Sequence, residues 1–210
     1  LLIGKLVKEF GYGDSGECLT IADPNEVWIF EIFGEGPDKI GGVWAAVRIP
    51  DNHVSVSANI SRISTLDLKD KDNYMASDNV FDVAKKMKLW DGKEPFRFWK
   101  AYSGGNYFGE LKSFSLREFF ILNSLAPSLK LAYDSEELPL SVKPDKPVAA
   151  TDVMELLRAT YEGTDWDTTK NLKILAKKKD SAEKDSVTSP AANPWMTTDM
   201  INMLNAVKGG

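Results

Sequence analysis

Two short runs, Val27-Trp28-Ile29-Phe30 and Val43-Trp44-Ala45-Ala46-Val47, are apolar at consecutive rather than alternate positions. A strand with one wetted face alternates polar and apolar residues, so these runs call for a sheet covered on both faces. They sit in a series of β-branched and aromatic segments separated by turn chemistry. Cys18-Leu19-Thr20-Ile21-Ala22 leads into Asp23-Pro24-Asn25, where proline presets φ and the Asp and Asn side chains can bond local backbone. Residues 27–33 end at a glycine-rich turn, residues 43–49 at Pro50-Asp51-Asn52, and residues 53–63 follow. The spacing predicts four consecutive strands in an antiparallel meander. In the fourth, Val54, Val56, Ala58 and Ile60 fall on one face and Ser55, Ser57, Asn59 and Ser61 on the other. That second face carries small hydrogen-bonding groups and no charge, which suits a strand facing a shallow polar cleft.

The flanks are helical. Leu2, Leu6 and Phe10 recur at helical spacing and Gly11 follows as a stop, which reads as the last turns of a helix beginning before Leu1. Beyond the strands, Val80, Val83, Ala84 and Met87 form a stripe after Ser77, with Asp91-Gly92 as its stop. Ser115 and Glu118 form an S-x-x-E capping box ahead of Phe119, Phe120 and Leu122, and Pro127 closes that helix. Thr151 is the expected cap of a third helix carrying Val153, Leu156, Leu157 and Tyr161 and closed by Gly163. Met200, Met203, Leu204 and Val207 make a fourth stripe, and the polar, aperiodic residues 177–190 read as an exposed loop. The expected fold class is α+β, with a helix end and β-meander over 1–63 and a mainly helical portion over 64–210.

Charge and composition remove several chemistries. A net charge of -5 and a pI near 5.1 argue against a nucleic-acid partner, and the one basic run, Lys177-Lys178-Lys179, is followed by Asp180 and Glu183. No apolar stretch approaches the roughly 20 residues of a membrane span. The single histidine, His53, follows Pro-Asp-Asn and reads as exposed at a turn, so a Ser-His-Asp triad has no base. Zinc lacks a His cluster or Cys pair, the acids of 67–72 lack calcium-loop spacing, and Ser103-Gly104-Gly105-Asn106 matches no phosphate-binding fingerprint.

Three side chains hold more interest. Cys18, the only cysteine, cannot form an intrachain disulfide and has no histidine to act as its base. It reads as a small buried hydrophobe unless the chain were cut between Glu17 and Cys18 to free an α-amine. Asn59 on a polar strand face could donate an N–H to a developing oxyanion or satisfy neighbouring backbone. Arg62 could hold a substrate carboxylate bidentately or pair with a structural acid.

The run Ile21-Ala22-Asp23-Pro24-Asn25-Glu26-Val27-Trp28-Ile29-Phe30-Glu31-Ile32 resembles the dipeptidase A family, relatives of the secernins. So does Val43-Trp44-Ala45-Ala46-Val47-Arg48-Ile49-Pro50-Asp51, with the pairs Ala58-Asn59 and Arg62-Ile63 after it. Leu125-Ala126-Pro127-Ser128-Leu129, Leu140-Ser141-Val142-Lys143-Pro144-Asp145, Tyr161-Glu162-Gly163-Thr164 with Thr169-Lys170, Ser189-Pro190 and the Trp195 region are also similar to it. The resemblance implies a cysteine N-terminal-nucleophile hydrolase with an αββα sandwich, of which residues 1–210 are the central portion of a single domain. The mature amino-terminal cysteine, whose α-amine acts as base, would lie upstream of Leu1, so this portion alone is expected to be inactive. Asn59 is then the position best suited to the oxyanion hole, and Arg62 lies near the substrate or supports the site. The partner implied is a dipeptide, with no metal or organic cofactor. Ser57 stands where relatives often have histidine. Left open are a non-peptide amide as substrate, a non-catalytic interaction module of secernin type, a homo-oligomer, and a cytoplasmic or exported location.

Overall fold

Three long strands form where the turn chemistry places them: β1 (Glu17–Ala22), β2 (Val27–Gly34) and β3 (Gly42–Ile49), each antiparallel to the next. The Asp23 carboxylate closes the first turn, accepting from the N–H of Asn25 at 2.7 Å and of Glu26 at 2.9 Å. These belong to a computed structural model that describes residues 2–36, 39–103, 106–107, 110–165 and 167. The chain divides into two compact units, Leu1–Val148 and Ala149–Gly210.

The register sorts residues onto faces. Cys18, Glu31 and Ala45 lie opposite one another, as do Leu19, Phe30 and Ala46. On the first face Ile29, Ala45, Val47 and Ile49 pack with Val80, Ala84, Phe96 and Phe98. On the second, Phe30, Ile32 and Ala46 pack with Val7 of helix α1 (Leu2–Phe10). Both faces are covered, as the consecutive apolar runs require.

Helix α1 ends at Gly11, whose φ of 78° suits a residue without a Cβ and whose N–H reaches Val7 O at 2.8 Å. Its apolar stripe does not face the sheet: Leu2, Leu6 and Phe10 are exposed, while Gly4 and Val7 are buried. Gly4 is what lets the helix approach, because a Cβ there would stand 2.6 Å from the Trp44 ring. That ring is stacked on Phe30 at 5.4 Å between centroids and has little room to retreat. Gly4→Ala should therefore lower stability by about 1 kcal/mol in urea unfolding, because overpacking costs ~1–3 kcal/mol against a helix-propensity gain of ~1 kcal/mol. A stabilised variant would show that α1 can shift freely on the sheet.

The fourth strand differs from expectation. Only β4 (Val54–Ser55) forms within 53–63, and it leaves the main sheet to pair with β8 (Ser141–Val142). Beside β3 stands β5 (Tyr74–Ala76), giving the order β1-β2-β3-β5. A two-stranded ladder, β6 (Asn106–Tyr107) with β7 (Glu110–Leu111), also interrupts the portion expected to be mainly helical. The fold class is α+β.

Helix α2 (Val80–Lys86) buries Val80, Val83 and Ala84 but stops before Asp91-Gly92. Lys88 turns left-handed at φ 59°, and the N–H groups of Leu89 and Trp90 bond back to Ala84 O. Helix α3 (Phe98–Tyr102) is too short to leave a periodic signal, yet it buries Phe98, Trp99 and Ala101. Helix α4 (Leu116–Leu125) begins on the expected Ser115–Glu118 capping box, and Pro127 opens the 3-10 turn Pro127–Leu129. In the second unit, α5 (Ala150–Arg158) starts at Ala149, whose N–H is accepted by the Asp152 carboxylate at 2.8 Å; Thr151 lies within the helix instead of capping it. The loop expected at 177–190 and the stripe at 200–207 lie outside the described residues. Among those described, no helix is long and apolar enough to cross a membrane.

Candidate active site

Segment 56–63 leaves β4 and turns instead of extending, because side-chain acceptors replace ladder partners for its backbone N–H groups. Glu31, an acid in the middle of β2, is 1% exposed. Its Oε1 accepts from Arg62 N at 2.6 Å and Ile63 N at 3.3 Å, and its Oε2 from Ser61 Oγ. Glu118 takes the other end, where Oε1 accepts from Ala58 N at 2.5 Å. Ser57 Oγ closes the turn onto Ile60 O at 3.2 Å. These side-chain bonds, most of them to carboxylates distant in sequence, take the place of a strand ladder. They also correct the polar-face reading of this segment: Ser55 bonds Leu140 O, and Ser57 and Ser61 bond within the fold.

Asn59 occupies the apex of this turn. It is exposed, and its φ of 59° is in the left-handed region that Asn tolerates better than most residues. Arg117 Nη2 donates to Ala58 O at 2.6 Å and to Asn59 Oδ1 at 3.1 Å. A guanidinium has no acceptor, so it can face only the carbonyl end of the Asn59 amide. This contact fixes the orientation of the amide and leaves the Nδ2 hydrogens on its other end. Backbone held in a sparsely populated conformation is a recurrent property of functional positions.

Arg62 is placed differently. Its guanidinium is buried, with Nη1 donating to Ser113 O at 2.9 Å and Nη2 to Pro139 O at 2.6 Å. Burial pulls its pKa down, while the charges of Glu118, Glu31 and Glu137 pull it up. It remains an arginine cation stapling segments 62, 113 and 139 together, with one donor of each terminal nitrogen on a backbone carbonyl. It also backs an open cleft of about 660 Å³ whose lining includes Ile49, Ser64, Tyr74, Glu137 and Ser141; Asn59 does not line that cleft. His53 is half-buried, with Nδ1 2.9 Å from Ser141 Oγ, in place of the exposed turn side chain expected.

Cys18 faces Glu31 across the strand pair. Burial pushes its thiol up to about 11, opposed by a hydrogen bond with Ser57 and reinforced by the Glu31 charge. At neutral pH only about one molecule in ten thousand would carry the thiolate there, which is the condition of an inert cysteine. Burial likewise raises the Glu31 carboxyl above its ordinary value, against the pull of Ser61 and of the backbone N–H groups of Arg62 and Ile63. Among the described residues, no group of three or more His, Cys, Asp or Glu is placed to hold a metal ion.

Sequence reasoning brought out Asn59 and Arg62 but not Glu31, Arg117 or the second role of Glu118. Glu31 did leave a signal: a charged residue inside an otherwise apolar strand covered on both faces needs buried partners.

Comparison with known proteins adds the context. The sequence profile of peptidase family C69 matches residues 1–187. Over 199 residues the chain is 31% identical to the protein named probable dipeptidase B of Streptococcus pyogenes serotype M1, a match covering 92% of this chain and 37% of that protein. It is 31% identical over 168 residues to a probable dipeptidase of Salmonella dublin, covering 79% of this chain and 37% of the relative. A probable dipeptidase of Latilactobacillus sakei is 28% identical over 166 residues, covering 79% and 33% respectively. The chain thus spans little more than a third of the length of the curated relatives it matches.

Proposed function

We propose that this chain, which belongs to peptidase family C69, is the central portion of a dipeptidase that cleaves the peptide bond of dipeptides through an N-terminal cysteine supplied by the rest of the polypeptide. The names of the relatives and the share of their length that the match covers support this reading. Residues 1–210 would belong to one αββα domain, with the β1-β2-β3-β5 sheet and α1 forming a β layer and its helical cover. In such an enzyme the α-amine takes the thiol proton as the sulfur attacks the scissile carbonyl, passes it to the departing amine of the substrate as the thioester forms, and water then hydrolyses the thioester to free the acid and the thiol.

The carrying observation is the orientation of the Asn59 amide. With Oδ1 tied to Arg117, the Nδ2 hydrogens are presented on an exposed turn, where they could donate to a tetrahedral oxyanion once the rest of the polypeptide and the substrate cover that turn. Arg62 then acts near the substrate through the walls it staples, because each of its terminal nitrogens already donates to a backbone carbonyl.

The test uses the full-length enzyme, a panel of dipeptides and N-acylated amino acids, and a thiol-alkylating reagent. Dipeptides should be hydrolysed, and alkylation should stop turnover. Cys18→Ala should keep kcat within about threefold and remain sensitive to alkylation, since burial keeps the Cys18 thiol protonated. Loss of turnover in Cys18→Ala would move the nucleophile to this chain. Preference for acylated amino acids would point to the related amidohydrolase chemistry, and no turnover at all to a binding module.

A further inference from the structure

We infer that Glu118 is a positioning residue for Asn59, so that the first turn of α4 serves as the alignment device of the oxyanion donor; this rests on the proposed role of Asn59. Glu118 is fully buried, and donors surround both of its oxygens. Oε2 accepts from Ser115 N at 2.8 Å and from Ser115 Oγ, completing the capping box, while Oε1 accepts from Ala58 N at 2.5 Å. The preceding residue of the helix, Arg117, holds the Ala58 carbonyl and the Asn59 side chain. The N–H and C=O of Ala58 are thus both gripped from one helical turn, immediately before the left-handed Asn59.

A capping box alone does not require this arrangement. Its reaching-back position takes Glu or Gln, because one acceptor oxygen is enough for the N-cap N–H. The contact to Ala58 needs a second acceptor, which only a carboxylate has. Gln at 118 can keep its oxygen on Ser115, but its NH₂ would then face the Ala58 N–H, donor against donor. The substitution therefore breaks the link to the turn while sparing the helix cap. Ser115→Ala does the reverse: it removes the Ser side chain from the cap and leaves the Glu118–Ala58 bond in place.

In the full-length enzyme, Glu118→Gln should lower kcat by about tenfold or more with KM nearly unchanged, as a small misplacement of a reacting group does. Hydrogen exchange at the Ala58 amide should become faster in the same variant. Ser115→Ala should lower the Tm yet leave the Ala58 amide protected. In an Asn59→Ala background, Glu118→Gln should have no further effect on kcat, because its action passes through Asn59. A wild-type rate or unchanged Ala58 exchange in Glu118→Gln, or a further tenfold loss in the Asn59→Ala background, overturns the positioning role while the oxyanion reading stands. A wild-type rate in Asn59→Ala itself overturns the oxyanion reading and the positioning role with it.

Discussion

Asn59→Ala in the full-length enzyme should lower kcat by about 100-fold while KM changes by less than about threefold, the pattern of a donor whose bond strengthens only in the transition state. The expectation follows from the amide's fixed orientation. In the proposed role, Arg117 already selects the rotamer that presents Nδ2, so the donor would not need to reorganise as negative charge grows on the substrate oxygen. A loss of that size corresponds to about 2.7 kcal/mol of transition-state stabilisation. Alanine also disfavours the φ of 59° at this position, so a slow variant could reflect a moved turn instead of a missing donor. Asn59→Gly separates the two effects, because glycine adopts that φ without strain and lacks the amide. It should be as slow as Asn59→Ala but at least as resistant to heat. A glycine variant turning over near the wild-type rate would end the oxyanion assignment, whatever the alanine variant does.

How far the sequence alone could reach depended on the range of the interactions involved. β1 to β3 were legible because their signals are local: consecutive apolar residues, and proline, glycine and Asx turns between them. The Ser115–Glu118 box was legible for the same reason, since it spans only four residues. Segment 56–63 was not, although its alternation is that of a strand. Its conformation is set by Glu31 and Glu118, 31 and 60 positions away from the residues they hold, and no short-range pattern carries such contacts. Asn59 was reached as a candidate through its residue type and the family resemblance, whereas the turn that presents it depends on those distant carboxylates. Arg62 shows the converse. Its residue type allows a carboxylate grip, and only the fold reveals that its terminal nitrogens donate to the carbonyls of Ser113 and Pro139. The α1 stripe is a further case: periodicity found the helix but not which side meets the sheet, because a glycine, not a large apolar residue, makes the closest approach.

Glu31→Ala should cost about 4 kcal/mol of unfolding free energy. It strips the acceptor from two buried N–H groups and a buried hydroxyl. Glu31→Gln should behave otherwise. Its Oε1 can serve the N–H groups of Arg62 and Ile63 as the carboxylate does, and its NH₂ can donate to Ser61 Oγ, whose lone pairs are able to accept. Burial raises the Glu31 pKa, so between an unfolded value near 4.3 and the raised native value the folded chain binds a proton that the unfolded chain releases. The stability this proton confers is complete below the unfolded pKa and is lost as pH rises through the folded one. The wild-type protein should therefore lose stability relative to Glu31→Gln as pH is raised from about 4 to 8, as read from urea unfolding at each pH. If the wild-type protein gains on the Gln variant over that range, then the three donors and the Arg62 charge outweigh burial, and Glu31 holds its turn as a carboxylate throughout.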